Sequence, residues 1–165
     1  MTRPEVHLEP DHLDKRLQWL ALAGLVVAIV LPVYHYGDLP ETIPVHFGVT
    51  GEADGFGPRW IIWLLPAIGL AIYAGLSRLV RHPHSFNYPV PITEKNAGAQ
   101  YRNAVRMIRI LNALITCSFA WITWGIIQVA TGSAGGLGMY SVLIFLLLVT
   151  GTTGYFLYRA FQIGR

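Results

Sequence analysis

The sequence predicts an all-α integral membrane protein, a four-helix transmembrane bundle with an ordered extracytoplasmic loop. Three observations predict it. Apolar residues make up 53% of the 165 residues and charged residues 13%, too hydrophobic for an ordinary soluble domain of this length. Four segments, Leu17 to Tyr36, Trp60 to Val80, Ile108 to Thr131 and Met139 to Arg159, are long enough to cross a hydrocarbon core of about 30 Å at about 1.5 Å per residue. Positive charge falls almost wholly on one side of these spans. With no room for a second domain, residues 1–165 read as a single membrane domain.

Residues 1–16 are a hydrophilic tail. The first span follows it without a small-x-small cleavage site before Pro32 and Tyr34, which reads as an uncleaved anchor. Gly24 and Ala28 are candidate helix contacts in this span, as are Ala67, Ala71 and Gly75 in the second. Pro32 and Pro66 each remove a backbone donor inside a hydrophobic run, so a kink is expected at each. In the loop 37–59, Pro40 and Pro44 keep Leu39 to Phe47 extended. Alternation would put Ile43, Val45 and Phe47 on one side and His46 on the other, as in a short strand. Gly48, Gly51, Gly55 and Gly57 then allow turning, and Asp54-Gly55 is a strong turn signal.

The loop 81–107 is basic. Pro89 and Pro91 hold it extended, and Thr93 can cap a helix opening at Glu94. The third helix therefore starts well before its span, with Arg102, Arg106 and Arg109 on one stripe. That stripe reads as a solvated, lipid-touching collar or as a docking surface for a cytoplasmic partner. Asn112, Thr116 and Thr123 recur on one face of the third span, where they could line a path or hydrogen-bond between helices. The fourth span is smooth and apolar. Its Gly151 and Gly154 suit self-association, which leaves a monomer and a homo-oligomer both open.

Of the 12 lysines and arginines, only Arg59 falls on the far side of the spans, which makes both termini cytoplasmic. The loop 37–59 then faces outward with Asp38, Glu41, Glu52 and Asp54. Aromatic residues agree: Trp19, Tyr155 and Tyr158 lie near the inner boundary, and Tyr34, Tyr36, Trp60, Trp63 and Tyr140 near the outer one. The basic face suits the anionic headgroups of the lipid bilayer, and no nucleic acid partner is expected. No acid or base lies in the middle of any span, which disfavours coupled transport. Cys117 is alone, so disulfides play no part. Nucleotide loops, nucleophile elbows and zinc-helix motifs are absent.

His46, with Glu41, Glu52 and Asp54 near in sequence, has three readings: a turn-holding residue, a general base or a metal ligand. One histidine and scattered acids make a weak metal signature, so no metal or other cofactor is expected and no catalytic residue is assigned. Asp54 and Arg59 are an expected ion pair closing the loop. A two-histidine site of His35 with His46 is a further conjecture. His7, His12, His82 and His84 read as surface features.

The pattern Leu39-Pro40, Ile43-Pro44-x-His46-Phe47, Gly51, Asp54-Gly55 and Gly57 resembles the domain of unknown function at the amino-terminal end of SdpI-type bacterial immunity proteins. The resemblance is local, centred on Asp38 to Arg59 with the span on each side. It implies a polytopic protein of the bacterial cytoplasmic membrane that protects a producer from its own secreted toxin and relays the toxin's presence inward. The further spans that such proteins carry, with their own signature, are not recognisable in Ile108 to Arg165.

Three function classes follow. The favoured one is a non-enzymatic membrane protein, SdpI-like in immunity or signal reception. Its loop would recognise a ligand, a peptide toxin or a membrane protein partner through Pro44, His46, Phe47, Gly51, Asp54 and Arg59. The second is a membrane metalloprotein or hydrolase using His46 and Asp54. The third is passive transport along the Asn112, Thr116 and Thr123 face.

Overall fold

Asp11 starts the first helix. Its carboxylate accepts from the Asp14 amide at 2.9 Å, and the Asp14 carboxylate accepts from the Asp11 amide at 3.2 Å. This reciprocal capping box satisfies two amides that a helix end otherwise leaves without partners. In the computed structural model, which describes residues 3–138 and 140–165, α1 therefore runs His12–His35 and begins ahead of the span read from Leu17. An antiparallel hairpin follows, β1 (Thr42–Phe47) and β2 (Ala53–Pro58). The fold is thus mostly helical with a small two-stranded sheet.

A short 3-10 turn, Arg59–Trp63, leads into α2 (Leu64–Leu79). Pro66 falls in the first turn of α2, where its missing N–H has no intrahelical partner to lose. Before α3 (Ala97–Ala130), the Asn96 amide donates to the Thr93 hydroxyl at 3.3 Å and the Thr93 amide to Asn96 Oδ1 at 2.9 Å. Thr93 thus closes the turn ahead of the helix, and regular helix begins at Ala97 instead of Glu94. The last helix is α4 (Tyr140–Ile163); Met139, where the fourth span was expected to start, lies outside the described residues. Among the described residues four helices, His12–His35, the joined segment Arg59–Leu79, Ala97–Ala130 and Tyr140–Ile163, are long and apolar enough to cross a membrane.

The centre of the bundle is α3, which touches α1, α2, α4 and β1. Gly24 and Ala28 are buried, and a Cβ on Gly24 would meet the Thr116 and Cys117 backbone. The expected α1 contacts are therefore packing positions against α3. In α2 the expectation fails: Ala67, Ala71 and Gly75 are exposed, and Pro66 and Gly69 are buried instead. Small apolar residues suit lipid as well as a helix neighbour, so their spacing does not decide between the two. Asn112, Thr116 and Thr123 are all buried. The Thr116 hydroxyl donates back to the carbonyls of Asn112 and Ala113 at 3.0 and 3.2 Å, and α1 packs closely beside Thr116 at Gly24.

The arginine stripe also differs from expectation. Arg102 is exposed, but Arg106 pairs with Asp11 and lies 3.5 Å from Asp14. Arg109 donates to the Asp14 carbonyl at 3.3 Å and to Gln18 Oε1 at 3.1 Å. Two of the three arginines tie α3 to the start of α1. The acceptors beside them offset the cost of taking these charges out of water.

Two side-chain amides of α3 hold one end of α4. There the Gln100 and Asn103 side-chain amides donate to the Ala160 and Phe156 carbonyls at 2.7 and 2.9 Å. Toward the other end, Trp121 Nε1 donates to the Ser141 hydroxyl at 3.4 Å. Among the described residues, nothing beyond their chain neighbours and the adjoining helix backbone comes within 4 Å of where a Cβ on Gly151 or Gly154 would stand.

Candidate functional site

The hairpin stands on an apolar base. Leu39, Ile43, Ile62, Ile126 and Ile127 form one buried cluster, with Tyr36, Phe47, Leu65 and Ile122 packed against it. Ile43 is wholly buried, which stabilises the hairpin's seat by about 2 kcal/mol relative to exposure in water. The Arg59 amide donates to the Glu41 carbonyl at 2.9 Å and closes the base. At the tip the Gly51 amide donates to the Gly48 carbonyl at 2.9 Å. Gly51 has φ +83°, a left-handed conformation that glycine adopts without Cβ strain.

Two irregularities shape the exposed face. Pro44 pairs with Phe56, His46 with Gly55 and Phe47 with Ala53, so Val45 on β1 and Asp54 on β2 are extra residues. Paired bulges of this kind re-aim side chains while the strands stay in register beyond them. Strict alternation therefore breaks: Pro44 is buried with Ile43, and Val45 is exposed. A Cβ on Gly55 would come within 2.9 Å of the His46 Cβ, so a bare glycine lets the strands close there.

The outcome is a direct contact between His46 Nδ1 and Asp54 Oδ1. The pair is well exposed, 72% for the His46 side chain and 54% for Asp54. Asp54 does not pair with Arg59, as the loop chemistry suggested. Arg59 instead lies over the Tyr36 ring, 5.2 Å from its centre, and reaches the Leu39 carbonyl at 3.5 Å. A guanidinium over an aromatic face is a favourable cation–π arrangement. His35 is engaged elsewhere, edge-on to Trp124 at 6.0 Å and 3.9 Å from Asp38. Among the described residues no three His, Cys, Asp or Glu side chains gather as they would around a metal.

The six candidate residues thus fall into three groups. His46 and Asp54 meet on the exposed face; Pro44 and Phe47 pack toward the base; Gly51 and Arg59 sit at opposite ends of the hairpin. Sequence reasoning missed Phe56 and Val49, which are 61% and 95% exposed, and Tyr36 as the partner of Arg59. It also missed the contact of the tip with the α3–α4 connection. There the Leu137 amide donates to the Gly51 carbonyl at 2.9 Å, and Glu52 bridges Gly136. The one available signal was the glycine run Gly135-Gly136 opposite a glycine-rich tip, since close backbone approach favours residues without side chains.

No solved structure matches the chain. An uncharacterized protein of Archaeoglobus fulgidus is 28% identical over 147 residues, covering 81% of this chain and 80% of that protein. Residues 23–70, which run from within α1 through the whole hairpin into α2, match a domain of unknown function, DUF1648, known in SdpI-type proteins.

Proposed function

We propose that the chain is a non-enzymatic membrane protein whose hairpin faces outward and recognises a ligand, with SdpI-like immunity or signal reception as its role. The observation that carries this reading is the exposed face of an anchored hairpin. His46 and Asp54 form an ionisable pair there, beside exposed Val45, Val49 and Phe56. Aromatic and aliphatic side chains left uncovered next to directional polar groups are what a binding surface presents. The one-sided distribution of arginine and lysine supports an outward hairpin with both termini in the cytoplasm.

Two measurements test it together. A cysteine placed at Thr50 in a Cys117→Ser background is expected to react with a membrane-impermeant maleimide on intact cells. Cells carrying the chain are expected to survive a secreted peptide toxin, and His46→Ala or Phe56→Ser to lose that protection at unchanged membrane abundance. Labelling only after permeabilisation, or protection indifferent to both substitutions, overturns the reading.

The alternative hydrolase reading has one observation in its favour. A carboxylate on His46 Nδ1 leaves Nε2 free, as in a base oriented by an acid. Substrate turnover abolished by His46→Ala, without loss of membrane insertion, would favour it over recognition.

A further inference from the structure

At the end of the bundle opposite the hairpin, a cavity of about 220 Å³ lies between α3 and α4. One water needs roughly 10–15 Å³, so the chain is not packed here to the density of a protein interior. Ala104 and Met107 of α3 and Phe156 and Leu157 of α4 wall the cavity, and residues 86–89 of the α2–α3 connection form its remaining side.

That connection is fastened unevenly. Its own bonds are local: the Tyr88 hydroxyl donates to the Pro83 carbonyl at 2.8 Å and the Ser85 hydroxyl to the His82 carbonyl at 2.7 Å. Among the described residues, every hydrogen bond between residues 82–89 and chain outside residues 79–89 comes from Arg3. One terminal nitrogen of its guanidinium donates to the carbonyls of His84, at 3.2 Å, and Phe86, and the guanidinium stands over the Tyr88 ring, 5.6 Å from its centre. Phe86 and Tyr88, the residues so gripped, both face the cavity. The rest of the attachment is apolar, with Pro83 buried and the Tyr88 ring 5.5 Å from that of Tyr101.

The tail that carries Arg3 is itself tied down. Tyr101, wholly buried, donates its hydroxyl to the Pro4 carbonyl at 2.9 Å, and Asp11 pairs with Arg106. Residues 3–11 have no helix or strand and form a strap, fixed to α3 and ending on the connection. Arg3 is exposed, so water competes for its donors and its bonds hold the closed state only modestly. Segments held by a few exposed bonds are the ones that open locally while the rest of a fold stands.

We propose that residues 82–89 are a lid over the cavity between α3 and α4 and that Arg3 is its latch, so that release of the strap opens the cavity while the bundle stays folded. Access to the space between α3 and α4 is then controlled from the amino-terminal tail.

The test uses the full chain, purified in detergent, with Cys117→Ser and a single new cysteine, Ala104→Cys in the cavity or Ala113→Cys at a buried position of α3 outside it. Labelling by a water-soluble maleimide reads opening. Arg3→Gln is expected to speed labelling of Ala104→Cys about fivefold, the effect of one ordinary hydrogen bond, and to leave Ala113→Cys unchanged. Tyr101→Phe, which keeps the ring and removes the bond to Pro4, is expected to act in the same direction. Arg102→Gln removes an exposed charge that does not touch the lid and is expected to change neither rate. Hydrogen exchange at the amides of residues 86–88 is expected to rise in Arg3→Gln. An unchanged rate at Ala104→Cys in Arg3→Gln overturns the latch, and an equal rise in Arg102→Gln reduces it to the charge around the thiol. Faster labelling of Ala113→Cys as well would mean general loosening and overturn the device. Faster labelling of Ala104→Cys with unchanged exchange at residues 86–88 would mean that the tail alone shields the cavity, and would overturn the lid.

Discussion

Gly24 of α1 lies so close to Cys117 of α3 that a Cβ on it would come within 2.8 Å of the Cys117 amide nitrogen and 2.9 Å of the Thr116 carbonyl carbon. Those neighbours are backbone, which yields only by separating the helices. Gly24→Leu is therefore expected to destabilise the bundle by about 1–3 kcal/mol, the usual cost of overpacking. Thermal unfolding in detergent checks this. A melting curve identical to wild type would mean that the two helices are not in register at this point.

At the hairpin tip, Gly51 combines φ +83° with a Gly138 backbone only 2.7 Å from where a Cβ would stand. Gly51→Ala is expected to cost about 1–2 kcal/mol for the left-handed conformation alone. The clash should also break the Leu137 to Gly51 hydrogen bond. Hydrogen exchange at the Leu137 amide reports that loss, and unchanged protection would refute it.

Acid is expected to loosen the start of α1. The Asp11 carboxyl is held below its ordinary value of 3.8, first by the hydrogen bond from the Asp14 amide and then by Arg106. A carboxylate whose pKa is lowered in the folded state contributes stability that is present above the unfolded value and lost as pH falls through the folded one. Helix content at the α1 terminus should thus decline below about pH 3.8. Asp11→Asn should flatten that part of the acid titration.

Removing the His46 and Asp54 pair is expected to leave the fold standing. Both side chains are mostly exposed, and exposed ion pairs contribute about 0.2–1 kcal/mol. A double-mutant cycle of His46→Ala with Asp54→Ala should return a coupling in that range by chemical unfolding. A much larger coupling would make the pair a structural clasp instead of a surface left for binding.

Hydropathy made the four helices legible because a bilayer requires long apolar runs with their backbone groups satisfied internally. Helix ends were less legible. The Asp11 and Asp14 capping box lies in what composition shows only as an acidic tail, and its arginine partners come from a helix some ninety positions away, as in Arg106 and Arg109. The hairpin was half legible. Pro44, Gly55 and the Asp54-Gly55 turn signal pointed to extended and turning backbone, but the bulges at Val45 and Asp54 depend on strand pairing. No local pattern encodes them, and they decide that Asp54 meets His46 while Arg59 turns to Tyr36.

Of the most apolar stretch of α4, 6% is buried, against 39% for α3. Gln100 and Asn103 pin one end of α4 and Trp121 bonds Ser141 toward the other, while its midsection is left uncovered by protein. The tilt of such a helix is set by the few places where it is packed and by the aromatic residues at its ends, not by hydrophobic length alone. The chain ahead of α4 is the strip bonded to the hairpin tip through Leu137 and Gly51. The chain entering α4 and the β-turn at Gly51 are thereby held to one another by a backbone hydrogen bond between two otherwise separate parts of the fold.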